Sequence, residues 1–186
     1  MNTIVTSRQQ LLDSAKQIAV EQGVSSISIR AVAQKSGVSV GALYHYFTSK
    51  SELVVAVIDD FWQAAFRDTD WEELSRLDFI SCFTAIYQAL EVSLRCFQEN
   101  WLTQTDLLEK QEKELGKQKE ADYFNKIRRT LTASLRQDPK LAHRSWKEPV
   151  TQERLVELAF VNMLLQLRRK EGCETLVAVL QGFLYG

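Results

Sequence analysis

The stretch SIRAVAQKSGVSVGALYHYF, from Ser28 to Phe47, constrains this chain more than any other. A serine suited to N-capping opens each half, at Ser28 and Ser39, and Gly37 stands between them as the residue that enters the left-handed region freely. The pattern predicts a helix over about 29–35, a glycine turn, and a second helix from Ser39 to about Tyr46. Val32 and Ala33 give the first an inward edge. Leu43 and Phe47, four apart, give one to the second. Val40, Gly41, Ala42, Tyr44, His45 and Tyr46 are then left outside. A helix barely two turns long buries little, so these outward side chains are suited to something beyond the protein's own core.

The rest of the chain reads as helix throughout, and the fold class is all-α. Seven glycines and two prolines in 186 residues are too few for the tight turns of a sheet-rich fold. Thr6 or Ser7 caps a first helix carrying Leu11, Leu12, Ala15, Ile18 and Ala19, and Gly23 ends it. Ser49 to Glu52 forms a capping box for a fourth helix with Leu53, Val54, Val57, Ile58, Phe61, Trp62 and Ala65 on one face. Asp70 and Glu73 open a fifth, expected to run to about Asn100. Thr103 to Gln137 is helical in pattern, with a solvated charge run, a Glu109–Lys113 pair and a possible break at Gly116. Pro139 and Pro149 bracket a loop containing His143 and Trp146. Two last helices, about 152–170 and 174–184, are expected to hinge at Gly172. The first of these is apolar almost all round. A second copy of the chain is its expected cover, with Phe160, Leu164, Leu167, Leu176, Leu180 and Phe183 in the interface. Asn162 and Gln166 lie among these residues as interface or pocket polar groups.

Charge is unevenly spread. The net is −1, but residues 1–50 hold five basic residues against two acidic, a net of +3. A basic head on an acidic body suits a protein of which one end meets phosphate. Cys82, Cys96 and Cys173 form no Cys-x-x-Cys pair, and with only His45 and His143 available no metal cluster or cofactor is expected. The cysteines read as reduced core residues of a cytoplasmic protein. The apolar run from Leu53 to Ile58 is far short of a membrane span. No catalytic motif stands above background, so the chain is not expected to be an enzyme.

Helix, glycine turn, short helix is a helix-turn-helix, whose second helix lies in the DNA major groove. The segment SIRAVAQKSGVSVGALYHYFTSKSEL resembles the N-terminal domain of TetR-family transcriptional repressors, over about residues 8–62. Beyond that the likeness is one of architecture. The resemblance implies that Ser28 and Ser39 donate to phosphates, that Tyr44 and Tyr46 contact backbone or thymine, and that Lys50 reaches a phosphate. It implies that Arg30 can reach a base edge, where arginine pairs bidentately with guanine. Many members carry a polar or basic residue at position 40 and a threonine or serine at 42. Here Val40 and Ala42 stand there, and neither hydrogen-bonds a base. Sequence reading is then expected to use thymine methyls, close approach at Gly41, Arg30 and DNA shape.

The resemblance further implies a DNA-binding domain over 1–50 and an effector-binding and dimerisation domain over 51–186. A small-molecule effector of unknown identity would enter among Tyr87, Glu91, Trp101, Tyr123 and Phe124. The expected partners are double-stranded palindromic operator DNA, a second copy of the chain and that effector, with no membrane. The expected function is a sequence-specific transcriptional regulator, a dimeric repressor released by its effector. The alternatives are a ligand-independent architectural DNA binder and a DNA binder controlled by a protein partner.

Overall fold

The computed structural model describes residues 6–96 and 110–186. Among them are nine α-helices and no β-strand. These are α1 (Arg8–Gln22), α2 (Ile29–Lys35), α3 (Val40–Tyr44), α4 (Lys50–Ala65), α5 (Trp71–Arg76), α6 (Phe79–Cys96), α7 (Lys110–Gln137), α8 (Gln152–Arg169) and α9 (Glu174–Tyr185). Trp101, Glu109 and the side chains of Cys96 and Lys113 lie outside the described residues. No described helix is long and apolar enough to cross a membrane.

Local chemistry accounts for the head. Ser7 and Gln10 form a reciprocal capping box: Gln10 N–H donates to Ser7 Oγ at 3.2 Å, and Ser7 N–H to Gln10 Oε1 at 3.0 Å. Gly23, with φ of 93°, turns the chain out of α1. Gly37, with φ of 68°, turns it from α2 toward α3. Leu11, Ala15 and Ile18 of α1, Val32 of α2, Leu43 of α3 and Phe47 after it are each 3% exposed or less. Burial of each large side chain contributes about 1.5–3 kcal/mol. That is what holds the short helices α2 and α3, since isolated helices of this length are not stable.

The chain divides into two compact units. The first takes residues 1–64 and 94–121; the second takes 65–93 and 122–186. The expected division after residue 50 differs from this grouping, because α4 carries on from the head without a break. In the first unit the adjacent carboxylates of α4 hold two different helices. Asp60 pairs with Lys16 of α1 at 2.8 Å, and Asp59 with Lys119 of α7 at 3.2 Å. Helix α7 does not break at Gly116. A Cβ there would lie 2.8 Å from Ile58 Cδ1, so the glycine permits close approach to α4.

In the second unit the expected single helix from Asp70 to about Asn100 is two helices. Leu77 is extended, and Asp78 receives Ser81 N–H at 3.1 Å, starting α6 anew. Asp138, 2% exposed, joins three places in the chain. It accepts from Phe79 N–H at 3.3 Å, from Lys140 N–H at 3.0 Å and from the Tyr185 hydroxyl. Burial, then this bond and Asp138's charge, hold the Tyr185 hydroxyl well above the ordinary phenol value. The turn after α8 is made by Lys170, in the left-handed region at φ of 57°, rather than by the expected Gly172.

Candidate nucleic-acid interface

The surface built by α2, α3 and the start of α4 rests on three serine caps. Ser28 Oγ accepts from Ala31 N–H, Ser39 Oγ from Ala42 N–H and Ser49 Oγ from Glu52 N–H, each at 3.1 Å. A hydroxyl that accepts in this way keeps its own proton to donate outward. The box at α4 departs from expectation. Glu52 reaches back to Thr48, taking its N–H at 2.7 Å and its hydroxyl at 2.8 Å, instead of Ser49. The Thr48 N–H and then its hydroxyl hold the Glu52 carboxyl below the usual glutamate value.

Helix α3 is pinned by two side chains. Leu43 and Phe47 are both 0% exposed, while Val40, Tyr44 and Tyr46 are 40%, 50% and 36% exposed. Gly41 and His45 are exposed and Ala42 is half-buried. A Cβ on Gly41 would meet only Ser39 Oγ at 3.9 Å, an ordinary contact. Nothing inside the protein requires glycine there, and its bareness leaves room for a body outside.

Tyr46 has a second attachment. Its hydroxyl donates to the Thr6 carbonyl oxygen at 2.7 Å, so that proton already serves the fold. No local signal in the sequence announces a bond spanning forty positions. Tyr44 makes no hydrogen bond among the described residues.

The basic head is narrower than its net charge suggests. Arg8 lies over the Phe47 ring at 4.7 Å and 3.9 Å from Glu52. Lys16 is paired with Asp60, and Lys35 with Glu21 at 3.0 Å. Burial opposes the Lys16 charge, but Asp60 and then Asp13 overcome it, and its ammonium titrates above the ordinary lysine value. Arg30 is exposed and has no ion pair among the described residues. Lys50 is the first residue of α4, where the positive end of the helix dipole disfavours a cation and a phosphate would offset the cost. Of the head's cations, Arg30 on α2 is the exposed one without an ion pair among the described residues.

Four of the five expected effector residues lie among the described residues. Tyr87 is 3% exposed and donates its hydroxyl to the Glu171 carbonyl oxygen. Tyr123 stacks on Phe66 with ring centroids 6.3 Å apart, and Phe124 meets Phe160 edge-on at 5.1 Å. Glu91 is half-buried. A separate cleft of about 280 Å³ opens beside α5 and α6, and none of these residues lines it.

Four of the six residues expected in an interface on α8 and α9 face inward in this chain. Phe160, Leu167, Leu176 and Leu180 are 1%, 8%, 9% and 1% exposed, buried in their own protomer. Arg128 covers the Phe160 ring at 4.1 Å and pairs with Glu157 at 2.7 Å. Leu164 is half-buried, and Phe183 is 40% exposed. The outward apolar residues of α8 are Leu158, Val161 and Leu165, at 53%, 51% and 42% exposure, and Val179 joins them on α9 at 63%. Gly182 has open space over it. Asn162 donates to its own helix at Leu158 O, 2.8 Å away.

Residues 11–57 match the family model described as bacterial regulatory proteins, tetR family. The transcriptional repressor KstR2 of Mycolicibacterium smegmatis is 31% identical over 90 residues, 45% of this chain and 43% of that protein. The transcriptional regulator SrpR of Pseudomonas putida is 40% identical over 52 residues, 28% of this chain and 24% of that protein. The matches thus span less than half the length of these relatives. Solved structures extend the likeness to nearly the whole chain, as one of fold. The fatty acid degradation regulator FadR from Bacillus halodurans aligns at a TM-score of 0.65 and 16% identity, covering 100% of this chain and 97% of that one. BioQ, solved with its double-stranded DNA operator, aligns at 0.56 and 19% identity, covering 97% of this chain and 99% of that one.

Proposed function

For a chain that belongs to the TetR family of bacterial regulatory proteins, we propose the work of a sequence-specific DNA-binding transcriptional regulator. It acts as a dimeric repressor on a palindromic operator and is released by a small molecule. One observation carries the reading. Helix α3 and the turn after it bury Leu43 and Phe47 completely and leave Val40, Gly41, Tyr44 and His45 exposed, with no use for them inside the protein. The groove of B-DNA takes one such helix.

Roles follow from position. Ser28, Ser39 and Lys50 contact phosphates and fix register; Arg30 reads a base edge; Val40 and Ala42 meet thymine methyls; Gly41 lets the backbone come close. Tyr44 contributes ring and hydroxyl, and His45 sits beside the backbone. Tyr46 contributes its ring, its hydroxyl proton being held by Thr6. The apolar ridge of Leu158, Val161, Leu165, Val179 and Phe183 is the face that a second copy covers, and two-fold protein symmetry calls for two-fold DNA symmetry. Residues 1–50 bind DNA, and 51–186 bind the effector and the partner copy. An effector releases DNA only by binding the non-DNA-binding arrangement more tightly than the other. No part of this reading calls for enzymatic chemistry.

The test is selection of duplexes from a random pool by the purified protein at moderate salt. The expected result is one palindromic consensus, bound with two chains per site. Recovery of no consensus, with binding that fades as salt rises, would mean contact with backbone alone and would overturn the reading.

A further inference from the structure

The second unit holds a cleft that the DNA-binding reading does not use. Its floor is apolar: Phe66 just past the end of α4, Leu74 on α5, and Ile86 and Ala89 on α6. Phe66 and Ile86 are 6% and 0% exposed, so the floor is part of the core and is not a loose surface patch. Asp68, Asp70 and Glu73 stand among the lining residues on the connection between α4 and α5 and on α5 itself.

These carboxylates have no cationic partner among the described residues. Asp68 and Glu73 make no ion pair among the described residues. Asp70 commits Oδ1 to the N–H groups of Glu72 and Glu73, capping α5, and still carries its charge. Of the nearby cations, Arg76 pairs with Glu72 and Lys126 sits over the Trp71 ring at 4.4 Å, while Arg67, beside Asp68 in the sequence, is exposed and makes no ion pair among the described residues. An acidic rim by itself would be a solvated surface. Above an apolar floor in a cleft of about 280 Å³, it combines two complementary features.

We propose that this cleft binds small amphipathic organic cations, with the apolar part on Phe66, Leu74 and Ile86 and the charged group at Asp68 and Glu73. The rim repels carboxylates, so fatty acids and other anionic lipids do not bind here. That such a ligand is the effector of the regulator rests on the function proposed above; its binding in the cleft does not.

The experiment is calorimetric titration of the full chain with three probes that share one apolar body: 4-phenylbutylamine, 4-phenylbutanol and 4-phenylbutyrate, at neutral pH and low salt. The amine is expected to bind at least tenfold more tightly than the alcohol, and the acid more weakly still. Asp68→Asn with Glu73→Gln is expected to bring the amine down to the level of the alcohol. Ala85→Trp, which fills the cleft, is expected to abolish all binding, with thermal unfolding measured on each variant to show that it is folded. Equal binding of the three probes, no binding of the amine, or an amine affinity indifferent to the rim variants would overturn the proposal. None of these titrations contains DNA, so failure of operator selection leaves the cleft untouched, and failure of the cleft leaves operator binding standing.

Discussion

At the scale of single residues, the caps were legible and the long-range bonds were not. Ser7, Ser28, Ser39 and Ser49 all accept the N–H three residues on, as their place before apolar periodic segments leads one to expect. The Tyr46 bond to Thr6 and the return of Glu52 to Thr48 depend on how turns fold back in space, which spacing does not encode. Arg30 is the residue on which specificity should turn. Arg30→Ala is expected to weaken operator binding by about 1–3 kcal/mol while changing affinity for unrelated DNA much less, as fluorescence anisotropy on both duplexes would report. Equal losses on both would make it a phosphate contact. Cys82 carries the opposite expectation. Burial pushes its thiol up to about 11, against a smaller lowering by Ser134. It should resist iodoacetamide in the native protein at pH 8 and react only on unfolding, as peptide mapping would show.

At the scale of elements, helices were found where apolar periodicity said, and their ends moved where a side chain overruled it. The run after Asp70 looked like one helix because its apolar residues continue through the break. Asp78, followed by Ser81, restarts it. Gly116 looked like a break because glycine weakens a helix by about 1 kcal/mol. Contact with Ile58 gives that glycine a packing role inside a continuous helix. Asp138 is the clearest case of one side chain holding several elements. Asp138→Ala would leave the Phe79 and Lys140 N–H groups and the Tyr185 hydroxyl without their acceptor. It is expected to cost about 3 kcal/mol or more in urea unfolding. Tyr185→Phe removes one bond of the three and should cost about 1 kcal/mol.

At the scale of the whole molecule, the all-α class and the head were readable because glycine and proline are scarce and because two capped helices around Gly37 are distinctive. Which side of α8 faces outward was not. Helix α8 is apolar nearly all round, so periodicity offers no choice between Phe160, which faces the chain's own core, and Leu165, which does not. The two sites should separate cleanly. Leu165→Glu is expected to leave the fold and its melting cooperative but to convert the protein to monomer in sedimentation equilibrium, with loss of operator binding. Phe160→Glu should instead unfold the chain, since it buries a charge where the side chain is 1% exposed. A Leu165→Glu protein that still sediments as a dimer would place the interface elsewhere.

The outward ridge of α8 and α9 also bears on dosage. If a second copy must cover it before the heads can engage a two-fold site, and free chains outnumber pairs, occupancy follows the square of the concentration. Halving the supply of the chain would then cut occupancy about fourfold. Growth and division alone would thin the regulator toward its threshold, and each cell's copy number would set how abruptly its target genes open.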